Sequence, residues 1–272
     1  MALAPCLKNC RFWSVSITAV MCLSIGTLFD GYSLAEDSPG RHSFPLEPNA
    51  PPAVGNIAGV KLSIPHHYLL SGVHYQGEEV WKPNRTPPPP RTYDTVIEDF
   101  AILLRLSTLT PITTSQDWAD YRASAGTAET RPGKRWITVG FLSDMYRSSR
   151  GRLEHTVDVY LKDKSGFGPF ELQRQEVFGL KHARSPKKTN EKAWYGDTDE
   201  IFYDPVGFET FIRCASYLRK VEPFDLMTHC EHLFAVHEIK VVAKGYIQKE
   251  DLPRWREIEA AIRKIAHTFV VE

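Results

Sequence analysis

Surplus charge of either sign is missing from this sequence: 33 basic and 33 acidic residues cancel. Nucleic-acid binding rests on a basic face that neutralises phosphates, and anionic lipid attracts polybasic segments. Neither partner has an electrostatic case here. Long apolar runs are also lacking, because after Phe29 no stretch approaches the ~20 apolar residues of a bilayer span. Nucleophile signatures are as scarce. There is no G-x-S-x-G elbow for a hydrolase serine. Cysteine is sparse, with three of the five (Cys6, Cys10 and Cys22) inside the first 35 residues.

Those first residues carry a pattern of their own. Lys8 and Arg11 precede an uncharged run from Trp13 to Phe29, and Ser33-Leu34-Ala35 follows a short polar stretch. A basic start, an apolar centre and small residues at the first and third positions of a triplet make a secretory signal cleaved after Ala35. A retained membrane anchor is the alternative, but the run is short and diluted by Ser, Thr and Gly. Cys22 does not make a lipid-anchoring site, since Met21 precedes it and the apolar run continues past it. Cleavage removes Lys8, Arg11 and Asp30 and leaves a periplasmic chain close to net −1. Its remaining cysteines, Cys214 and Cys230, are an even pair in an oxidising compartment, expected to form a disulfide. Closing that loop stabilises by about 3 kcal/mol in the chain-entropy picture.

Residues 36–55, rich in proline and polar side chains, read as a flexible lead-in, and 56–272 as the globular part. Val60, Leu62 and Ile64 alternate with polar residues up to Pro65, the mark of a half-buried strand. Trp81 to Arg91 contains Pro87–Pro90, which favour a stiff polyproline connector. Phe100–Leu106 reads as a strand covered on both faces, and Ser115–Ser124 as a short helix capped by Ser115. Trp136–Leu142 and Thr156–Leu161 read as a strand pair, with Met145–Arg152 at the hairpin tip. Further strands are expected at Glu176–His182, Ile201–Tyr203, Thr210–Cys214, Leu233–Val236 and Ile239–Tyr246. Leu252, Trp255, Ile258, Ile262, Ile265 and Phe269 form one stripe of about 3.6-residue period, a closing helix with Asp251 as N-cap and Pro253 in its first turn. Arg254, Arg256, Glu257, Arg263 and Lys264 would face solvent. The fold class is α+β: mostly antiparallel strands with few helices and a C-terminal amphipathic helix packed on the sheet. A faint echo in element order leaves two similar lobes, 56–165 and 166–272, as an open reading.

Candidate chemistry is thin. His229, Cys230, His232 and His237 are the densest set of potential ligands, but neighbours on a strand point to opposite faces and Cys230 has a partner in Cys214. No metal and no cofactor is expected. Acid pairs stand at Glu78–Glu79 and Glu98–Asp99, with a knot at Asp197, Asp199 and Glu200, and histidines at His66, His67 and His74. General acid–base work needs carboxylates facing across a cleft, which linear spacing does not establish. Calcium would need an alternating oxygen loop that Asp197–Glu200 lacks. No catalytic residue is assigned, and the chain reads as a binding protein rather than an enzyme.

One ordered set of segments carries a resemblance. Ile64-Pro65 with Tyr68 comes first, then Arg91, Tyr93, Asp94 and Ile97–Arg105 with Leu109 and Pro111. Near the end stand Cys230-x-His232-x-Phe234 and Leu252-Pro253-x-Trp255-x-x-Ile258. Together they resemble periplasmic immunity proteins of type VI secretion systems, of the kind paired with lipase or other envelope-attacking effectors. The resemblance implies a non-catalytic protein that holds a toxic effector by occlusion. Its motifs are structural and carry over no binding residue. The alternative is a periplasmic envelope hydrolase or small-ligand binder using the acids and histidines above. For an effector partner, aromatic and arginine anchors are expected in two loops: Trp81, Arg85 and Arg91 in one, Tyr146, Arg147 and Arg150 in the other.

Overall fold

The computed structural model describes residues 50–70, 72–78, 90–124, 135–143, 149–162, 169–186, 199–216 and 228–272. The expected signal segment and most of the expected lead-in lie outside them. Residues 42–272 make one compact unit. Strands β1 (Ala53–Ile57) and β2 (Val60–Ile64) form a hairpin, so regular structure takes in the last residues of the expected lead-in. The remaining strands are β3 (His74–Tyr75), β4 (Ile97–Arg105), β5 (Thr110–Pro111), β6 (Trp136–Leu142), β7 (Glu171–Leu172) and β8 (Lys181–Arg184), then β9 (Glu200–Tyr203), β10 (Thr210–Ser216), β11 (Thr228–Val236) and β12 (Val241–Gln248). They join one antiparallel sheet in the order β3-β4-β6-β12-β11-β10-β9-β8-β7, with β5 paired to the end of β4. Strands from both expected lobes share it. The helices are α1 (Ser115–Ser124), α2 (Ser149–Leu161) and α3 (Trp255–Thr268), and no described helix is long and apolar enough to cross a membrane. The fold is α+β.

Strand alternation divides the sheet's side chains between two cores. On β11, Cys230, Phe234 and Val236 face the main core, while Leu233 joins a second core on the opposite side. Helix α3 covers the first face with Trp255, Ile258, Ile262 and Ala266, joined by Leu252 and Phe269. The expected stripe is the stripe that packs. Phe100 stacks on Phe141 at 4.6 Å, and the Phe269 ring meets both Phe100 and Tyr68 edge-on. The chain end then runs along β2, where Ser63 N donates to Phe269 O and Val271 N donates to Lys61 O. The second face is covered by α2 through Leu153, Val157 and Tyr160, and by α1 through Trp118 against Leu103 and Trp136.

Five local expectations need correction. Thr156–Leu161 is helix, not strand: its V-x-V alternation is real, but Leu153, Val157 and Tyr160 are spaced by four and three and are the residues that bury. Of the expected hairpin tip Met145–Arg152, residues 149–152 belong to α2, and 145–148 lie outside the described residues. Helix α1 is capped by Thr114, one residue before Ser115. Asp117 N donates to Thr114 Oγ1 and Thr114 N donates to the Asp117 carboxylate, a reciprocal box with aspartate in the usual glutamate role. At the C-terminus Asp251 and Pro253 lie in a 3-10 turn, Lys249–Arg254, and α3 starts after Arg254. Glu176–His182 likewise contains a tight turn, and β8 begins only at Lys181.

The expected disulfide is present. Cys214 and Cys230 stand directly opposite on β10 and β11 with an S–S distance of 2.06 Å, both buried in the main core.

Buried charge ties the layers together. Glu259 on α3 is buried against the sheet, its Oε1 2.8 Å from His232 Nε2 on β11 and accepting from Thr210 Oγ1 at 2.7 Å. Arg263, expected in solvent, reaches back to Glu259 and Glu209. On the other face Glu231 is buried between Arg213 and Lys244. Burial alone would raise its pKa, but the Lys244 hydrogen bond and the charges of Arg213 and Lys244 outweigh that and hold it below the ordinary 4.5. Glu200 is held down in the same way by Lys249 and Arg184 against its own burial. Burial pushes His182 below the usual 6.5, against the pull of Glu200.

Removing one partner of a buried pair strands the other, at a cost of about 3–5 kcal/mol. His232→Leu and Glu259→Leu should each destabilise on that scale, and the double variant by clearly less than their sum. Urea unfolding of all four proteins measures this, and additive losses would reject the latch. The acid response follows from the depressed values. A group whose folded pKa lies below its unfolded value stabilises above the unfolded value and loses that contribution as pH falls. The urea midpoint should therefore begin to fall below pH 6.5 as unfolded His182 takes up a proton, and fall further below 4.5 through Glu231 and Glu200. Glu231→Gln should flatten the lower limb.

Candidate functional site

The four-stranded stretch β3-β4-β6-β12 ends in short turns that wall a cleft of about 980 Å³. Asn56, Ala58 and Gly59 line it from the β1–β2 turn, and Gln76 from the residue after β3. Val96 to Asp99 contribute from the start of β4, Leu142 and Ser143 from the end of β6, and Lys240 from the β11–β12 turn. Each wall is fixed by local backbone chemistry. The two-residue turn Ala58-Gly59 has positive φ at both positions (49° and 82°), the geometry that follows the twist of a hairpin. Lys240 is also left-handed at φ 53°, with its N–H on His237 O. Asn56 N donates to Thr95 O and Gln76 N donates to Val96 O, pinning both flanking segments onto the approach to β4. A side chain at Gly55 would meet Ile97 at 2.7 Å and Thr95 O at 2.8 Å, so glycine lets β1 approach this closely. Ser143 Oγ donates to Glu98 O at 3.0 Å and closes β6 onto β4.

The cleft's chemistry is polar and of mixed charge. Glu98 and Asp99 lie on the β4 wall and Lys240 on the opposing turn, with the Asn56 and Gln76 amides and the Ser143 hydroxyl between. His74 Nδ1 sits 3.0 Å from Asp99 Oδ1, both half-exposed. Such a lining offers donors and acceptors to a polar partner group. It is open to water rather than sealed around one reacting atom.

Described residues at or next to this cleft directly precede the two segments expected to carry anchors. Glu78, two residues beyond Gln76, leads into 79–89, which lies outside the described residues and contains Trp81 and Arg85. Ser143, itself a lining residue, leads into 144–148, also outside them, which contains Tyr146 and Arg147. Arg150 belongs to the first turn of α2. Arg91 is described: its guanidinium lies 4.2 Å over the Tyr75 ring and pairs with Glu78, leaving the side chain 20% exposed. Tyr75 donates its hydroxyl to Val54 O, and burial pushes that hydroxyl's pKa up against the pull of Arg91. Arg91 thus staples β3 to the chain entering β4.

The other candidates are scattered. Cys230 is in the disulfide, His232 lies under α3, and His237 pairs with Glu209 at 3.1 Å beyond the strand end. Among the described residues no three His, Cys, Asp or Glu side chains converge for a metal. His66 and His67 form a 3-10 turn after β2. Glu200 of the acidic knot is consumed by Arg184 and Lys249, and Asp197 lies outside the described residues. Sequence reading missed the cleft because its walls come from five segments that only the sheet brings together. The one local signal was the glycine at 59 after a strand.

No protein-family model matches this chain, and no curated protein matches it. A solved structure is similar, that of Smlt3025, an immunity protein of the Stenotrophomonas maltophilia type IV secretion system. The likeness is 15% identity over 82% of this chain and 94% of that one, with a TM-score of 0.48.

Proposed function

We propose that the mature chain is a periplasmic immunity-type protein that binds a type VI secreted toxic effector and neutralises it by occlusion. The observation that carries this reading is the turn-walled cleft, with the lining residues Gln76 and Ser143 close in sequence to the two segments expected to carry anchors. A surface fixed by tight turns and backbone hydrogen bonds loses little conformational freedom on binding. Aromatic and arginine side chains beside such a surface are the residues that commonly carry interface energy. The segments on which the family resemblance rests also lie together. Tyr68, Ile97, Phe100, Ile102, Leu104, Phe234, Leu252, Trp255 and Ile258 share or pack against the main core, so they support a common scaffold beneath the binding surface.

A second reading has an observation in its favour. A polar cleft of about 980 Å³ is of small-ligand size, and Glu98, Asp99 and His74 would be its working groups. That reading, a ligand binder or envelope hydrolase, makes no use of Trp81 or Tyr146.

The decisive experiment is co-expression in the periplasm with the toxin encoded beside this gene. Protection is expected, and the purified protein should begin at Glu36. Alanine at Trp81, Tyr146 or Arg147 should each weaken effector binding by about 2 kcal/mol with folding unchanged by circular dichroism. Failure to protect would end the immunity reading. Full protection by all three variants would move the interface elsewhere.

A further inference from the structure

Phe178 and Gly179 form a two-residue turn whose flanks exchange both backbone hydrogen bonds, Val177 N to Leu180 O at 2.9 Å and Leu180 N to Val177 O at 3.0 Å. Both turn residues have positive φ, 53° and 77°. This primed geometry is met at the first position by asparagine, aspartate or glycine, and a bulky side chain there is a steric outlier. Leu109 and Phe208 share the left-handed conformation, but each has compensation within the molecule. Leu109 is buried in the main core, and Phe208 stacks on Tyr203 and packs against the second core. Phe178 belongs to none of the three cores and its side chain is 44% exposed. The fold does not call for an aromatic ring here.

The turn is nevertheless held firmly. Phe178 O accepts from Trp255 Nε1 and from Arg256 Nη1, each at 3.1 Å. The Arg256 guanidinium lies over the Trp255 ring at 4.5 Å and against Gly179, where a Cβ would come within 2.4 Å of it. The start of α3 therefore clamps the strained residue with its ring outward. Strain kept in place by surrounding structure is a mark of functional positions.

We propose that Phe178 is a docking knob that inserts into an apolar pocket of a partner protein, with Arg256 as its polar neighbour. The inference rests on the binding function proposed above and takes the secreted effector as that partner. An aromatic flanked by arginine is typical interface-anchor chemistry, and a backbone already clamped in place loses less freedom on binding.

The test turns on Phe178→Asn, which suits the left-handed position better than phenylalanine and removes the ring. Its urea midpoint should equal or exceed that of the wild-type protein. Its affinity for the toxin encoded beside this gene, measured by calorimetry, should fall about 30-fold, which is ~2 kcal/mol at 1.4 kcal/mol per tenfold. Phe178→Tyr should retain most of the affinity. Equal affinity of Phe178→Asn and wild type would overturn the knob and leave the immunity reading standing. A clear loss of stability in Phe178→Asn would show that the ring serves the fold and would overturn it too. A wild-type protein that does not bind this toxin would sink the functional reading, and the knob with it.

Discussion

The apolar stripe of α3 laid across one face of the sheet is the contact on which the other arrangements depend. A wide antiparallel sheet with two apolar faces needs a cover on each, and the first face carries the larger core. The helix covers it with Trp255, Ile258, Ile262 and Ala266, and Phe269 continues onto Phe100 and Tyr68. Apolar burial has no direction, so it does not by itself fix how far the helix slides. A buried carboxylate on the helix itself does. Glu259 must meet His232 and Thr210 together, and an unmet charge in that core would be costly. Helix position then sets two further features: the chain end that pairs with β2, and Trp255 and Arg256 that clamp the Phe178 turn.

Much of this was legible in the residues where one local pattern dominates. Val60–Ile64 alternates cleanly because one of its faces lies in the core. The closing helix was visible because its stripe runs unbroken through Trp255, Ile258 and Ile262. Two cysteines outside the expected signal segment pointed to one bond. Legibility failed where two periods coexist. Thr156–Leu161 satisfies a strand's alternation and a helix's three-and-four spacing at once, and only the neighbouring Leu153 breaks the tie. Arg263 and Glu259 were also opaque, since a charge under a helix is predictable only from its partner on another strand.

The cleft was hidden for a related reason. Its lining residues are unremarkable singly: a lysine in a turn, a serine after a strand, two adjacent acids. They become a site because antiparallel pairing brings the start of β4 beside the end of β6 and sets the β11–β12 turn next to both. The candidate anchors were chosen from composition, by aromatic and arginine content, and Trp81, Arg85, Tyr146 and Arg147 lie outside the described residues.

Phe178 shows how a mismatch between residue and backbone can direct attention to function. At most positions, local preference and tertiary packing agree, and that agreement gives a sequence one fold. Where they disagree, some other contact must compensate, and for Leu109 and Phe208 it is visible as burial or stacking. For Phe178 the backbone is clamped but the ring is left outside every apolar cluster. Folding alone favours asparagine at such a turn. An exposed phenylalanine there is accounted for by a contact beyond the chain itself. The polar cleft lies beside Lys240 at the start of β12, and the aromatic turn lies by Trp255 and Arg256 beyond its far end, so a partner protein engaging both would have to span the length of the sheet. That division gives specificity, because a pocket matched to the ring gains nothing from the acids of the cleft, and a polar finger matched to the cleft gains nothing from the ring.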